Sequence, residues 1–287
     1  MLNNDITIFV NSCDSFEDCW DPFFKLLSKN WVYDSMPNII LNTEFKSYHG
    51  YNLPIVSTKV NEGIDYRMNW SQCFLKGLDF IKTDYFIYLQ EDYFINNKID
   101  VKLINDLVEV IKSNSLIDYI GLTDNGSSGP FNETSDTRLW NIPNQSFYKI
   151  SCQAAIWRKT CLQSLILEDE NPWMFEIFGS IRAGRKNSLF LTVNRLKFSL
   201  KENPIIGYIH TGIIKGKWNI EIQEVFKSNQ ISLDYSKRGF YEKKKYSKIN
   251  LALKLISKPR YFFICIWHWI FKNNRLLSSK SGFVQLK

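Results

Sequence analysis

Nowhere does the 287-residue chain hold the ~20 consecutive apolar residues that a membrane-spanning helix needs. Its most apolar stretch, Tyr261 to Phe271 (YFFICIWHWIF), is about half that length. The six cysteines, at 13, 19, 73, 152, 161 and 265, form no Cys-x-x-Cys pair. Neither a zinc site nor the dense disulfide framework of a small secreted scaffold is therefore expected, and a reducing cytoplasm is the expected setting. The opening residues MLNNDITIFV lack the basic segment, apolar core and small-residue cleavage site of a signal peptide. Glycine is missing from NSCDSFEDCW, which follows the first apolar run, so no glycine-rich phosphate loop stands there. No internal repeat and no low-complexity linker divides the chain.

What is present is a globular composition, 45% hydrophobic and 15% aromatic. The net charge of +7 is gathered near the C-terminus, in Lys237 to Lys248 (KRGFYEKKKYSK). Charge held in a tail instead of along a face argues against a nucleic-acid partner. Ile6 to Val10, Ile39 to Leu41, Pro54 to Ser57, Tyr85 to Leu89 and Ile117 to Leu122 are short apolar runs that predict strands. Between them, Trp20, Phe23, Phe24 and Leu27 recur at helical spacing. So do Trp70, Cys73, Phe74, Gly77, Leu78 and Ile81, and then Leu103 to Ile111 behind a capping Asp100. Such alternation predicts an α/β fold, a mostly parallel sheet with helices on both faces.

Thr123 to Ser146, rich in Asn, Gly, Ser and Pro, is too long for an ordinary connection and predicts a binding loop. Beyond it, Phe147 to Trp157 predicts a strand, Cys161 to Leu167 a short helix, Pro172 to Arg182 another helix, and Ile205 to Ile209 the last strand.

The run TDYFIYLQEDYFI (Thr83 to Ile95) sets two adjacent carboxylates, Glu91 and Asp92, at the end of a buried strand. Burying charge is costly unless it is compensated, and ligands of open α/β sheets sit at the carboxyl ends of strands. A divalent Mg²⁺ or Mn²⁺, which favours oxygen ligands and substrate phosphates, would compensate both groups. The competing reading is a solvated turn whose acids serve the next helix. Glu176 lies among Trp173, Phe175 and Phe178, surroundings that raise a carboxyl pKa towards the range of a general base, unless it is an exposed helix acid. HTGIIKGKW follows the last expected strand. His210 could complete a metal site there, and Lys215 or Lys217 could close over phosphates, although a lone histidine is more often an ordinary polar group.

Taken in order, IFVNSCDS, LNTE, the segment NEGIDYRMNWSQCFLKGLDFIKTDYFIYLQEDYF and NPWMFEIFGS resemble the GT-A-fold nucleotide-sugar glycosyltransferases that build bacterial surface polysaccharides. The resemblance implies a Rossmann-like GT-A domain over 1–220, with a nucleotide half over 1–122 and an acceptor half over 123–220. Asp14, Asp65, Arg67 and Trp70 would line the nucleotide, Arg67 as a phosphate fork. Trp70 also fits the core stripe, and Asp65 could cap its helix. Asp92 matches the metal-binding Asp of the family's Asp-x-Asp motif, with Glu91 beside it, while Gln90 departs from the first position of that motif. Glu176 falls on the acceptor-side acid, which implies inversion with Glu176 as base.

The remainder, 221–287, reads as a basic and aromatic tail whose segment 243–275 would contact a membrane surface. Its aromatics could instead pack on the domain or on a second subunit. The expectation is a transferase peripheral to the inner face of the cell membrane, acting on a saccharide or lipid-linked saccharide. The alternatives are a metal-dependent nucleotidyltransferase and a non-enzymatic carbohydrate-binding protein.

Overall fold

The computed structural model describes residues 5–33, 35–127 and 129–243. The chain opens on β1 (Ile6–Asn11), whose side chains alternate between the two faces as a strand requires. Ile8 and Val10 join one core, Phe9 the other. The same alternation divides β2 (Ile39–Asn42) and β4 (Tyr85–Gln90): Ile39, Leu41, Ile87 and Leu89 face one way, Ile40, Phe86 and Tyr88 the other. A strand with two buried faces cannot lie at the surface, so both faces must be covered.

On one face lies α1 (Glu17–Asn30), with Trp20, Phe23, Phe24 and Leu27 buried, beside α3 (Val101–Ser113) and α7 (Ile222–Ser228). The other face carries α2 (Trp70–Leu78) and α4 (Lys159–Leu165). Alongside them runs a continuous helical stretch, α5 (Pro172–Met174), a π-helical turn over Phe175–Gly179, and α6 (Ser180–Ala183). Three of these starts are chemically marked. Asn69 and Gln72 form a reciprocal capping box on α2, Asp100 accepts from Leu103 N on α3, and Asn171 caps α5 ahead of Pro172. A buried ion pair, Arg182 to Glu170, ties α6 to the connection after α4.

Among the described residues the main sheet has nine strands, in the order β3-β2-β1-β4-β8-β5-β9-β7-β6. The others are β3 (Ile55–Ser57), β5 (Ile117–Gly121), β6 (Asn132–Glu133), β7 (Leu139–Asn141), β8 (Ala155–Arg158) and β9 (Leu189–Val193). Pairings set β8 and β7 against the direction of the rest, so the expected mostly parallel α/β sheet is what forms. From β1 the chain steps outward to β2 and β3, then returns to place β4 on the other side of β1. The strand order reverses there, between the carboxyl ends of β1 and β4, where Asn11 pairs with Gln90.

Several expectations need correction. Ile205 to Ile209 is buried but forms no ladder strand; it meets 94–100 through an isolated bridge, Ile95 to Tyr208. Of Phe147 to Trp157, only the end enters β8, because Tyr148 turns into the left-handed region at φ 52° and the amides of Ile150 and Cys152 bond to Ser180 and Glu176. The strand β9 was not expected, and β6 and β7 lie within the expected loop. Helix α2 stops at Leu78, short of Ile81. The body also continues past 220, since Ile222 and Phe226 belong to the main core. Among the described residues no helix is long and apolar enough to cross a membrane. The expected membrane segment lies, but for Lys243, outside the described residues.

Candidate functional site

At the reversal point a cleft of about 340 Å³ opens between the ends of β1 and β4. Asn11, Ser12, Cys13 and Phe16 form its wall on the β1 side, and Gln90, Glu91 and Asp92 its wall on the β4 side. Trp70 and Pro172 line it from the second face, and Thr211, Ile213, Lys215 and Gly216 cross its mouth. Trp70 stands at the first position of α2, its ring 5.1 Å from Phe74 and 5.9 Å from Phe175. It thus belongs both to the aromatic core and to the cleft.

Glu91 and Asp92 are 7% and 6% exposed. Burial pushes the Glu91 carboxyl well above its ordinary value, the charge of Asp92 adds to this, and Arg238 only partly opposes it. Burial also raises Asp92, against hydrogen bonds from the Thr211 hydroxyl and Ile213 N and the nearby charge of His210. Asp92 Oδ2 accepts from the Thr211 hydroxyl and, at 3.2 Å, from Ile213 N, while its carbonyl accepts Gly212 N at 2.9 Å. The carboxylate therefore anchors the hairpin of β10 (Ile213–Ile214) and β11 (Lys217–Trp218). The hairpin's two-residue turn has φ 52° at Lys215 and 79° at Gly216, the positive values a tight hairpin demands. A closing segment continues this layer: Trp218 N donates to Gly239 O and Tyr241 N to Trp218 O. Arg238 joins the two sides of the mouth, paired with Asp18 at 2.6 Å and donating to Ser15 O, its guanidinium 4.7 Å from the Phe16 ring centroid.

Of the residues picked from the sequence, Glu91, Asp92, Trp70 and Lys215 meet in this cleft; Asp14, Asp65, Arg67, Glu176, His210 and Lys217 do not line it. The Asp14 carboxylate accepts the amides of Glu44, Phe45 and Lys46 at 2.9, 3.0 and 3.2 Å. Arg67 pairs with Glu44 through Nε at 2.8 Å, and Glu44 in turn accepts Asp14 N at 3.3 Å. Asp14 and Arg67 thus brace the loop after β2. Asp65 is exposed on a bend, and Asn69, not Asp65, caps α2. His210 and Lys217 are exposed. Glu176 lies in the π-helical turn; burial raises its carboxyl, and its Oε1 accepts Cys152 N at 2.7 Å. The Cys152 carbonyl accepts the Tyr93 hydroxyl, so one residue links Glu176 to the segment that follows Asp92.

No protein-family profile matches the chain, and no curated protein does. Solved structures do. The chain is similar to S. aureus TarS 1-349 in complex with UDP-GlcNAc, at 12% identity and TM-score 0.44, over 66% of this chain and 55% of that one. Similarity extends to CMP:2-keto-3-deoxy-manno-octonic acid synthetase complexed with CTP, at 10% identity and TM-score 0.36, over 66% and 89% of the two chains. A third is M. tuberculosis glucosyl-3-phosphoglycerate synthase with Mn²⁺, UDP and glucosyl-3-phosphoglycerate, at 11% identity and TM-score 0.30, over 41% and 43%. The match spans 54% to 57% of the three S. aureus TarS 1-349 chains.

Among the described residues no group of three or more His, Cys, Asp or Glu side chains gathers as a ready-made metal cage. The donor set nevertheless suits a hard divalent cation that takes one or two carboxylates and completes its shell from water and substrate phosphates. Two adjacent buried carboxyls facing a cleft, both raised by burial beyond what their hydrogen bonds and neighbouring charges offset, fit that requirement. Sequence reasoning missed Cys13, Phe16, Thr211, Gly212 and Arg238. Thr211 and Gly212 stand within the HTGIIKGKW segment, where attention fell on the ionisable residues; Arg238 gave no signal beyond the basic run around it.

Proposed function

We propose that the chain transfers a glycosyl group from a nucleotide sugar to a saccharide acceptor, with the donor diphosphate at Glu91 and Asp92. The observation that carries this reading is the buried Glu91–Asp92 pair at the strand-order reversal, facing a cleft whose mouth Lys215 crosses. A buried acid pair whose hydrogen bonds and neighbouring charges only partly offset its burial calls for a bound cation and the phosphates that accompany it. When bound, Mn²⁺ or Mg²⁺ held by Asp92 and Glu91 would supply positive charge to the diphosphate leaving group.

The chain's own groups account for the rest. Lys215, set on a rigid two-residue turn, offers an ammonium to the phosphates. Trp70 presents a ring edge already packed by Phe74 and Phe175, so ordering it on binding costs little entropy. Glu176, which stands outside the cleft lining and joins the segment after Asp92 through Cys152 and Tyr93, would take the proton of the acceptor hydroxyl, burial raising its carboxyl. The acceptor oxygen then forms its bond to the anomeric carbon as the bond to the diphosphate breaks, and that electron pair leaves with the nucleoside diphosphate. Attack from the opposite side inverts the anomeric centre. The basic and aromatic sequence 243–275 suits a lipid-linked acceptor presented at a membrane, as in surface-polysaccharide assembly.

The products test the reading. Incubation with nucleotide sugars, acceptor glycans and Mn²⁺ should release nucleoside diphosphate, and Glu176→Gln should lower turnover by about 10²-fold or more while leaving donor binding intact. Release of pyrophosphate from a nucleoside triphosphate would assign nucleotidyl transfer instead.

A further inference from the structure

A second concave surface lies farther along the helical run, from Ile177 to Arg185. Two adjoining hollows, of about 350 and 500 Å³, share Asn144 and Gln145. Phe147 and Tyr148 wall the first against Ile177 and Ile181 of the helical run. The second lies along the β6–β7–β9 edge, between Asn132, Asn141 and Ser188. The Phe147 ring is 63% exposed and braced edge-on by Tyr148 at 4.8 Å. At Gly184 the two walls touch backbone to backbone, since a Cβ there would stand 2.2 Å from the Asn144 carbonyl oxygen. The groove is therefore built, not incidental to a loose loop.

Its chemistry is specific. Ser146, only 8% exposed, lines the first hollow, and its hydroxyl has no hydrogen-bond partner among the described residues. The Ser188 hydroxyl in the second is likewise buried without one. Both oxygens lie beneath the surfaces of the hollows, so a ligand's hydrogen bonds fall first to the polar groups exposed there, the side chains of Asn144 and Gln145. Carboxamides, which donate and accept at once, line the hollows together with two cations, Arg185 in the first and Lys186 in the second, and no carboxylate lines either. Amides and hydroxyls beside an exposed ring face are the complement of a saccharide, with its hydroxyl edge and its apolar C–H face.

We propose that this groove binds a remote part of the saccharide acceptor, so that the acceptor is an oligosaccharide chain and not a single sugar. The proposal rests on the glycosyl-transfer reading. Pro172 lies in the cleft and Gly184 in the groove. The groove wall runs from Ile177, the residue after Glu176, to Gly184, so at ~1.5 Å per residue it covers about 8 to 18 Å along the helical run from Pro172. One sugar ring cannot reach both ends; a short glycan can. Binding energy gathered at the remote end would then orient the reacting hydroxyl.

The full-length chain, applied without nucleotide to an array of immobilised mono- to hexasaccharides, tests this alongside Phe147→Ala, Gln145→Ala and Asp92→Asn. Wild type and Asp92→Asn should retain the same subset of longer glycans, with Phe147→Ala and Gln145→Ala weakened by about tenfold or more. Absence of any bound glycan, or binding lost in Asp92→Asn and kept in the two groove variants, overturns the proposal. Thermal stabilisation by nucleotide sugars, measured on the same samples, should survive in Phe147→Ala. Its presence without glycan binding would remove the groove while leaving the transfer reading standing.

Discussion

Two buried ionisable groups in this protein meet the cost of burial differently. Asp92 is tied by the Thr211 hydroxyl and Ile213 N, whereas Lys149, 1% exposed, gives its ammonium to the Ile142 carbonyl at 2.5 Å and stands 4.8 Å from the centroid of the Phe190 ring. Burial lowers the Lys149 pKa from an ordinary value of 10.5 to about 8. Between those two values the unfolded chain holds a proton that the folded chain has shed, so stability must rise with pH there; below about 8 the whole cost is present. Urea unfolding across that window should show wild type gaining about 3 kcal/mol on Lys149→Met, at ~1.4 kcal/mol per pKa unit. Parallel curves for the two proteins would contradict this account of Lys149. At this scale the sequence made Glu91, Asp92, Trp70 and Lys215 legible, because an acid pair at a strand end and a lysine beside glycine are local patterns. Asp14 and Arg67 carried equally local signals, yet both are engaged with a loop that only the fold brings near.

Among the elements, the β10–β11 hairpin decides how the cleft is closed. Its approach to β4 leaves no room at Gly212, where a Cβ would lie 2.2 Å from the Phe94 ring and 2.7 Å from the Asp92 carbonyl oxygen. Gly212→Ala must therefore push the hairpin away from Asp92 and lose the Gly212 N to Asp92 O bond. The expected cost is about 1–3 kcal/mol, read from the urea midpoint, and an unchanged midpoint would show the approach to be looser than described. Strands with period-two alternation and helices with marked caps were legible because their signals are local. The run LFLTV of β9 was not, since a short apolar run is shared by strands and by buried loops. Ile205 to Ile209 fails in the opposite direction: buried like a strand, it spreads its bonds over Phe94, Asn96 and Asp100 instead of running along a ladder.

At the scale of the molecule, the alternation of strands and helices sufficed to anticipate a mostly parallel sheet, and with it a cleft at strand carboxyl ends. It could not anticipate which distant segments return to that site. Thr211 meets Asp92 across 119 residues, and Arg238 meets Asp18 across 220. Such contacts follow from the packing of α7 and the closing segment on the main core, which leaves no periodic trace in the chain. The central claim is that the reversal point binds a nucleotide sugar through the acid pair, and a ligand that binds only the folded state must stabilise it. Thermal unfolding with UDP-, GDP- and CMP-sugars, with and without Mn²⁺, on wild type and Asp92→Asn, measures this directly. The account predicts a rise of several degrees for one nucleotide class, dependent on the cation and absent in Asp92→Asn. A folded wild-type protein whose melting is unmoved by every nucleotide sugar would contradict it.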